Sequence, residues 1–283
     1  MMIRPPVASV AVLSSLVAAG GAHAASRPAP PTASEWRTPA PETVVVIDTN
    51  KGRIVVELIP EVAPGHVARF QELTREGVYD GRTFFRVIDR FMAQTGDPDD
   101  TGEGGTKKPN LKGEFTFRRD ATTPFAAAAA PAGTEVGFLK SLPVVSQAWS
   151  WAEVTSDKKV AAWGTYCPGV VGQARDEDVN SGNSQFFLMR QPYPSLDKRY
   201  TAYGRVLTGL DVVRAIKTGE PVAKPQDQMI KVRLLSDIPP AERPTVRVVD
   251  TASAWFKAEV ARKRAARGAD FSVCDVDLAV DVR

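Results

Sequence analysis

Residues 44–59 read Val44-Val45-Val46-Ile47-Asp48-Thr49-Asn50-Lys51-Gly52-Arg53-Ile54-Val55-Val56-Glu57-Leu58-Ile59. Two β-branched runs flank Asn50-Lys51-Gly52, which predicts two strands around a tight turn and so an antiparallel sheet. Beyond them, Pro64 suits a first helical turn, Val67, Phe70 and Leu73 recur at helical spacing, and Gly77 supplies a terminator, predicting a helix over 64–76. Further strand-like runs are Thr83 to Ile88, Phe91 to Thr95, Val170 to Ala174, Gln185 to Met189, Tyr203 to Leu207 and Ile230 to Leu235. A second helix-like stretch, Leu210 to Lys217, stops before Gly219. About eight short strands and two helices predict a mainly β fold: a closed eight-stranded antiparallel barrel capped by the helices.

Four segments fall outside that barrel. Residues 1–24 carry Arg4, an apolar run from Val7 to Ala19, and Ala22-His23-Ala24, the pattern of a cleaved secretory signal. That run is shorter than the roughly 20 residues of a membrane span, so no stable membrane insertion is expected after cleavage, and the location is periplasmic or secreted. Residues 25–42, rich in Pro and Ala, read as an extended linker. The domain then covers 43–237 with a long insertion at 115–166, which opens on Ala126 to Ala130 and holds Trp149, Trp151 and Trp163 around a turn at Ser156 to Lys159. Three tryptophans predict that the insertion is packed. An extension over 238–283 has a helix-like stretch, Ser253 to Arg267, closed by Gly268. After it Cys274, Val276, Leu278, Val280 and Val282 alternate with Asp275, Asp277 and Asp281, the period of a strand with one wet face, favoured here over a calcium site.

Composition removes several chemistries. The chain has 283 residues, and 36 Lys+Arg against 33 Asp+Glu give +3, too small and too evenly spread for a nucleic-acid partner. Only 2 His and 2 Cys are present. Loss of His23 with the signal leaves His66 alone, so four-ligand zinc, His-based triads and other metal or cofactor chemistry are not expected. His66 is expected on the exposed side of its helix. Cys167 and Cys274 leave two readings, a single bridge tying the insertion's end to the tail or two unpaired buried thiols.

The densest run of unusual residues is Tyr79 to Pro98. Within it Phe84, Arg86 and Ile88 share a strand face, and an arginine between two core-type residues reads, on spacing alone, as a strand end or a structural ion pair. The blocks Phe84-Phe85-Arg86-Val87-Ile88 and Phe91-Met92-Ala93-Gln94-Thr95-Gly96-Asp97 resemble the signature of the cyclophilin family of peptidyl-prolyl cis-trans isomerases. So do Gly169-Val170-Val171-Gly172-Gln173-Ala174-Arg175, Asn180 to Phe187, Leu196-Asp197 and Tyr203-Gly204-Arg205-Val206, in the same order. Lys107-Lys108-Pro109-Asn110 and the signal make the chain most similar to bacterial periplasmic members.

The resemblance implies an enzyme that rotates X-Pro bonds in unfolded or exported polypeptides, acting as a monomer without a cofactor. It implies Arg86 as the catalytic donor and Gln94 as its orienting partner. Phe91, Met92, Phe187 and Leu196 would hold the proline ring, with Gln173, Ala174, Arg175, Gln185 and Tyr200 along the peptide groove. Departures from the family pattern are Phe85 and Tyr200 where the family has His, Gln173 where it has Met, and Ser195 where Trp is frequent, so strong cyclosporin binding is not expected. A competing reading is a peptide-binding or chaperone scaffold with the same barrel and weak isomerisation. Matches to penicillin-recognising enzymes at Ser181-Gly182-Asn183, Ser195 to Lys198 and Lys217 to Gly219 come in the wrong order and too close together.

Overall fold

In the computed structural model, which describes residues 29–283, Val44–Thr49 (β1) and Gly52–Leu58 (β2) pair antiparallel from Thr49↔Gly52 to Val44↔Glu57. Gly52 closes the turn at φ 136°, and a Cβ there would lie 2.9 Å from the Val212 side chain. The other strands of the main sheet are Arg86–Ile88 (β3), Met92–Thr95 (β4), Val170–Gln173 (β5), Phe186–Met189 (β6), Ala202–Thr208 (β7) and Met229–Leu234 (β8). Their order across the sheet is β8-β1-β2-β7-β5-β6-β4-β3, antiparallel throughout.

The sheet curls until its edges nearly meet, and isolated bridges at Thr83↔Gln228 and Val87↔Gly219 join the seam in place of a continuous ladder. Helix α1, Pro64–Arg75, closes one opening, and α2, Leu210–Ala215, lies along β2. Inside, Phe70 of α1 stacks on Tyr79 at 4.9 Å and meets Phe186 edge-on at 5.1 Å, among Ile47, Ile54, Leu58 and Phe84.

The histidine expectation fails for a physical reason. His66 is 2% exposed, and its Nδ1 lies 2.6 Å from Glu114 Oε2. Glu114 also accepts from the backbone N–H groups of Gly65 and His66 at 3.1 and 3.0 Å, filling the unsatisfied donors at the start of α1. Burial pushes the Glu114 carboxyl up, but the His66 and backbone hydrogen bonds outweigh it and hold it below the ordinary carboxylate range.

Outside the barrel, the insertion is a five-stranded antiparallel sheet in the order Phe117–Arg119, Val160–Gly164, Leu142–Gln147, Thr134–Leu139, Phe125–Ala129. It is packed, though not by all three tryptophans: Trp149 and Trp151 are 36% and 53% exposed, whereas Trp163 is half-buried beneath Lys198. The sheet meets the third helix, α3 (Ala254–Arg267), through strand Phe125–Ala129 and through Phe138, whose ring lies edge-on to Phe256 at 5.3 Å.

The linker expectation is also corrected over its described part. Trp36–Arg37 is a strand that pairs with Val248 and Val249, and Arg37 grips buried Glu57 through two bonds of 2.6 and 2.7 Å. Strand Val246–Val249 lies between Trp36–Arg37 and Val280–Val282. Of the tail strand expected from 274 onward, only Val280–Val282 is paired. Asp275 and Asp277 bond Arg267 and Lys263 of α3 at 3.3 and 3.1 Å, so the alternation reflects a packed side and a side facing α3, with no ladder. Cys167 and Cys274 are bonded to each other, with their Cα atoms 5.1 Å apart. The signal expected at 1–24 lies outside the described residues, as do 25–28. Among the described residues no helix is long and apolar enough to cross a membrane.

Candidate active site

Strand register brings four residues from distant blocks of sequence into one row. Arg86 on β3 pairs with Gln94 on β4, Gln94 with Phe187 on β6, and Phe187 with Gly172 on β5. Directly paired residues share a face, so this row lies on the outer side of the sheet while Val87, Ala93, Phe186 and Leu188 point to the core. Gly172 is required there: a Cβ would sit 2.3 Å from the Phe187 ring and 2.9 Å from Tyr166.

Above the row is a cleft of about 490 Å³. Its apolar floor is Met92, Phe187 and Leu196, all buried, with half-buried Phe91 beside them. Arg86 stands at one side, with Nη1 donating to Gln94 Oε1 at 3.2 Å. From Gln94 a relay of amides continues: its Nε2 donates to Gln185 Oε1 at 2.9 Å, and Gln185 Nε2 donates to the carbonyls of Gly102 and Gly104 at 3.0 and 2.8 Å. Arg175 and Tyr200 form another part of the wall, the guanidinium lying 4.4 Å over the phenol ring.

Of the residues expected at the site, Arg86, Gln94, Phe91, Met92, Ala174, Arg175, Phe187, Leu196 and Tyr200 line this cleft. Gln185 lines its polar continuation beside Asn183 and Gly104. Gln173 does not line the cleft. It is 6% exposed and donates to the carbonyl of Gln185 at 2.7 Å, which places it beneath the groove, next to the small void beside His66.

Asp97 organises the remaining wall. Fully buried, it accepts from the N–H groups of Asp99, Thr101, Gly102 and Gly104 at 2.6 to 3.1 Å. Burial raises its pKa, but those backbone donors and the Thr101 hydroxyl more than offset that and hold it below the ordinary value. The loop is thereby fixed with Thr101, Gly102 and Glu103 facing the cleft.

Residues 44–236 match the family model described as cyclophilin type peptidyl-prolyl cis-trans isomerase/CLD. The chain belongs to the cyclophilin family. This cyclophilin is 35% identical over 201 residues to a probable peptidyl-prolyl cis-trans isomerase of Brucella suis, spanning 70% of this chain and 85% of the relative. It is 32% identical over 176 residues to peptidyl-prolyl cis-trans isomerase B of Bacillus subtilis, spanning 61% and 87%. The crystal structure of cyclophilin AquaCyp293 from Hirschia baltica matches with a TM-score of 0.81 at 35% identity, over 87% of this chain and 93% of that one. Residues 44–236 alone fall short of an 87% share, so the likeness reaches into segments outside the family domain. The protein is a peptidyl-prolyl cis-trans isomerase.

Sequence reading missed several residues of this cyclophilin's cleft. Thr101, Gly102 and Glu103 belong to a loop whose signal was the glycine-rich run after Asp97. Glu220 and Pro221 follow α2, and nothing in their local sequence points to the cleft. Phe85 is not among those missed: the departure read at the family's His position, it lines the cleft next to Arg86. Lys198 lies 3.8 Å over the Trp163 ring, which leaves the Ser195-to-Lys198 motif without a Ser–Lys partnership.

Proposed function

We propose that this chain accelerates cis-trans exchange of X-Pro bonds in exported polypeptides, with Arg86 as the catalytic donor and Gln94 as the residue that orients it. The prolyl amide resists rotation with a barrier of about 18–20 kcal/mol because resonance keeps C–N planar, and it rotates unaided in tens to hundreds of seconds. At the twisted geometry the nitrogen loses conjugation and becomes a hydrogen-bond acceptor. A donor that meets the prolyl carbonyl and that nitrogen more strongly in the twisted state than in the planar one lowers the barrier, about tenfold per 1.36 kcal/mol. No proton need move. That suits a cleft with an arginine over an apolar floor and no histidine in its lining.

The observation that carries these roles is the register row Arg86–Gln94–Phe187, which sets a guanidinium, its amide acceptor and a ring-sized apolar surface side by side. Phe91, Met92 and Leu196 complete the ring pocket, and Ala174, Arg175, Gln185 and Tyr200 take the flanking peptide. We read 43–237 as the catalytic domain with its insertion at 115–166, 238–283 as an extension, and the molecule as a monomer. The Cys167–Cys274 bond favours an oxidising compartment, the periplasm or outside, in line with a signal at 1–24.

Protease-free exchange measurements on an Ala-Pro peptide test the roles. Arg86→Ala should lower kcat/KM by about a hundredfold, the scale for losing one transition-state donor. Wild-type activity in that variant would refute the assignment, and holdase activity alone surviving in both proteins would favour the scaffold reading.

A further inference from the structure

We propose that Glu220 sets substrate preference by holding Arg86 until a cationic side chain beside the proline takes its carboxylate, so that prolines flanked by lysine or arginine are favoured. The inference rests on the role of Arg86 proposed above. Two Arg86 nitrogens, Nε and Nη2, each lie 2.6 Å from Glu220 Oε1, and Nη1 is given to Gln94. A guanidinium has five N–H donors. With its Nε–H donating to Glu220, its Nη1 donating to Gln94 and its Nη2 in ion-pair contact with the same carboxylate oxygen, a substrate carbonyl meets an arginine already paired with an anion, a weaker donor than a free one.

Glu220 is not on a wandering loop. Gly219 exchanges both backbone bonds with Val87 at 2.8 Å, and Val222 N–H donates to the Phe85 carbonyl at 2.8 Å. The segment is therefore pinned to β3 on either side of Arg86, which fixes the carboxylate opposite that guanidinium. Gly219 fits this close turn because a Cβ there would lie 2.7 Å from the Pro221 carbonyl oxygen.

The rest of the lining shapes which charge can intervene. Glu103 faces the same cleft and makes no ion pair among the described residues. Arg175 is committed to the carbonyls of Arg199 and Asp176 at 3.0 and 2.7 Å. An incoming ammonium or guanidinium thus meets two carboxylates, and by pairing with Glu220 it frees Arg86 for the amide. An incoming carboxylate instead competes for Arg86 itself. The side chains of Arg86 and Glu220 are 39% and 55% exposed, so the pair is weak enough to be exchanged on each turnover.

The test uses two peptide series, one varying the residue before the proline and one the residue after it, with Lys, Ala or Glu at that place. The wild type should prefer Lys to Ala by about fivefold in kcat/KM in at least one series, the upper scale of a half-exposed pair, with Glu poorest. Glu220→Gln, isosteric and largely solvent-facing, should raise kcat/KM for the Ala peptide and bring the Lys-to-Ala ratio to about one, mostly through KM. An unchanged ratio in Glu220→Gln, a preference for Glu, or an equal loss on all three peptides would overturn the inference, the last because it marks a purely positioning role. Catalysis that depends on Arg86 but ignores peptide charge sinks this inference alone. Absence of any Arg86-dependent catalysis sinks the assigned role as well.

Discussion

Replacing both bridged cysteines by alanine should cost this protein about 3–5 kcal/mol of stability. The bond joins Cys167 and Cys274 across 107 residues of sequence. In the chain-entropy account, closing a loop of about that length removes close to 4.7 kcal/mol of conformational freedom from the unfolded ensemble at 25 °C. Alanine is the better replacement because Cys167 is fully buried with Tyr166, Phe187 and Leu196, where a serine hydroxyl would be left without a partner. At about 2–4 °C per kcal/mol for a chain somewhat shorter than this one, the midpoint of thermal unfolding should fall by about 10 °C. The assay is urea unfolding followed by tryptophan fluorescence on three samples: oxidised wild type, reduced wild type and the double variant. The last two should coincide and differ from the first, with a larger denaturant slope because the uncrosslinked unfolded chain exposes more surface. A double variant whose midpoint matches oxidised wild type would refute the reasoning, since the tail would then be held by its packing alone.

Gly172→Ala should cost about 1–3 kcal/mol and raise KM, because its Cβ would press on the Phe187 ring at 2.3 Å and lift the cleft floor; unchanged KM and Tm would show a ring free to yield. Asp97→Asn places an amide NH₂ among backbone donors, and about 1–3 kcal/mol should be lost along with affinity for peptide as the Thr101–Gly104 wall loosens. Asp97 and Glu114 are held below their unfolded values of about 3.9 and 4.3, so the unfolded chain takes up protons first on acidification. Their stabilisation is complete above the unfolded values and lost as pH falls through the folded ones. Plots of Tm from pH 7 to pH 2 should therefore decline less steeply below about pH 4 in Asp97→Asn than in wild type, and equal slopes would count against the role given to Asp97.

The barrel was legible because its signals are local: the Asn50-Lys51-Gly52 turn and the helical spacing of Val67, Phe70 and Leu73 carry their meaning within a few residues. The cleft was legible only through the likeness of the blocks around Arg86 and Gln173 to the cyclophilin signature, since spacing alone makes Arg86 a strand end or a structural ion pair. What was misread depends on partners far along the chain. Trp36 and Arg37 are ordered by Val248, Val249 and Glu57, so a proline-rich segment that looks like a linker becomes a strand. His66 is buried because Glu114 returns to cap its helix. Gln173 sits in a family groove position, yet its amide reaches the Gln185 carbonyl and turns it under the groove. Glu220 had no local mark, since its place opposite Arg86 comes from the seam that ties Gly219 to Val87.

The unbroken apolar run Val44-Val45-Val46-Ile47 signals a strand covered on both faces. Val45 and Ile47 look into the barrel, whereas Val44, Val46 and Val55 are covered by Leu235, Ile238, Val246 and Val282. The first strands of the barrel therefore emerge during synthesis long before the residues that shield their outer side. Until the last of that cover is made, the young chain carries a bare valine surface and is itself the kind of unfinished polypeptide that needs shelter. The same holds for a fragment cut at residue 237: every residue of the cleft would be kept, but the valine face would lose Ile238, Val246 and Val282 from its cover and be inclined to stick to its neighbours.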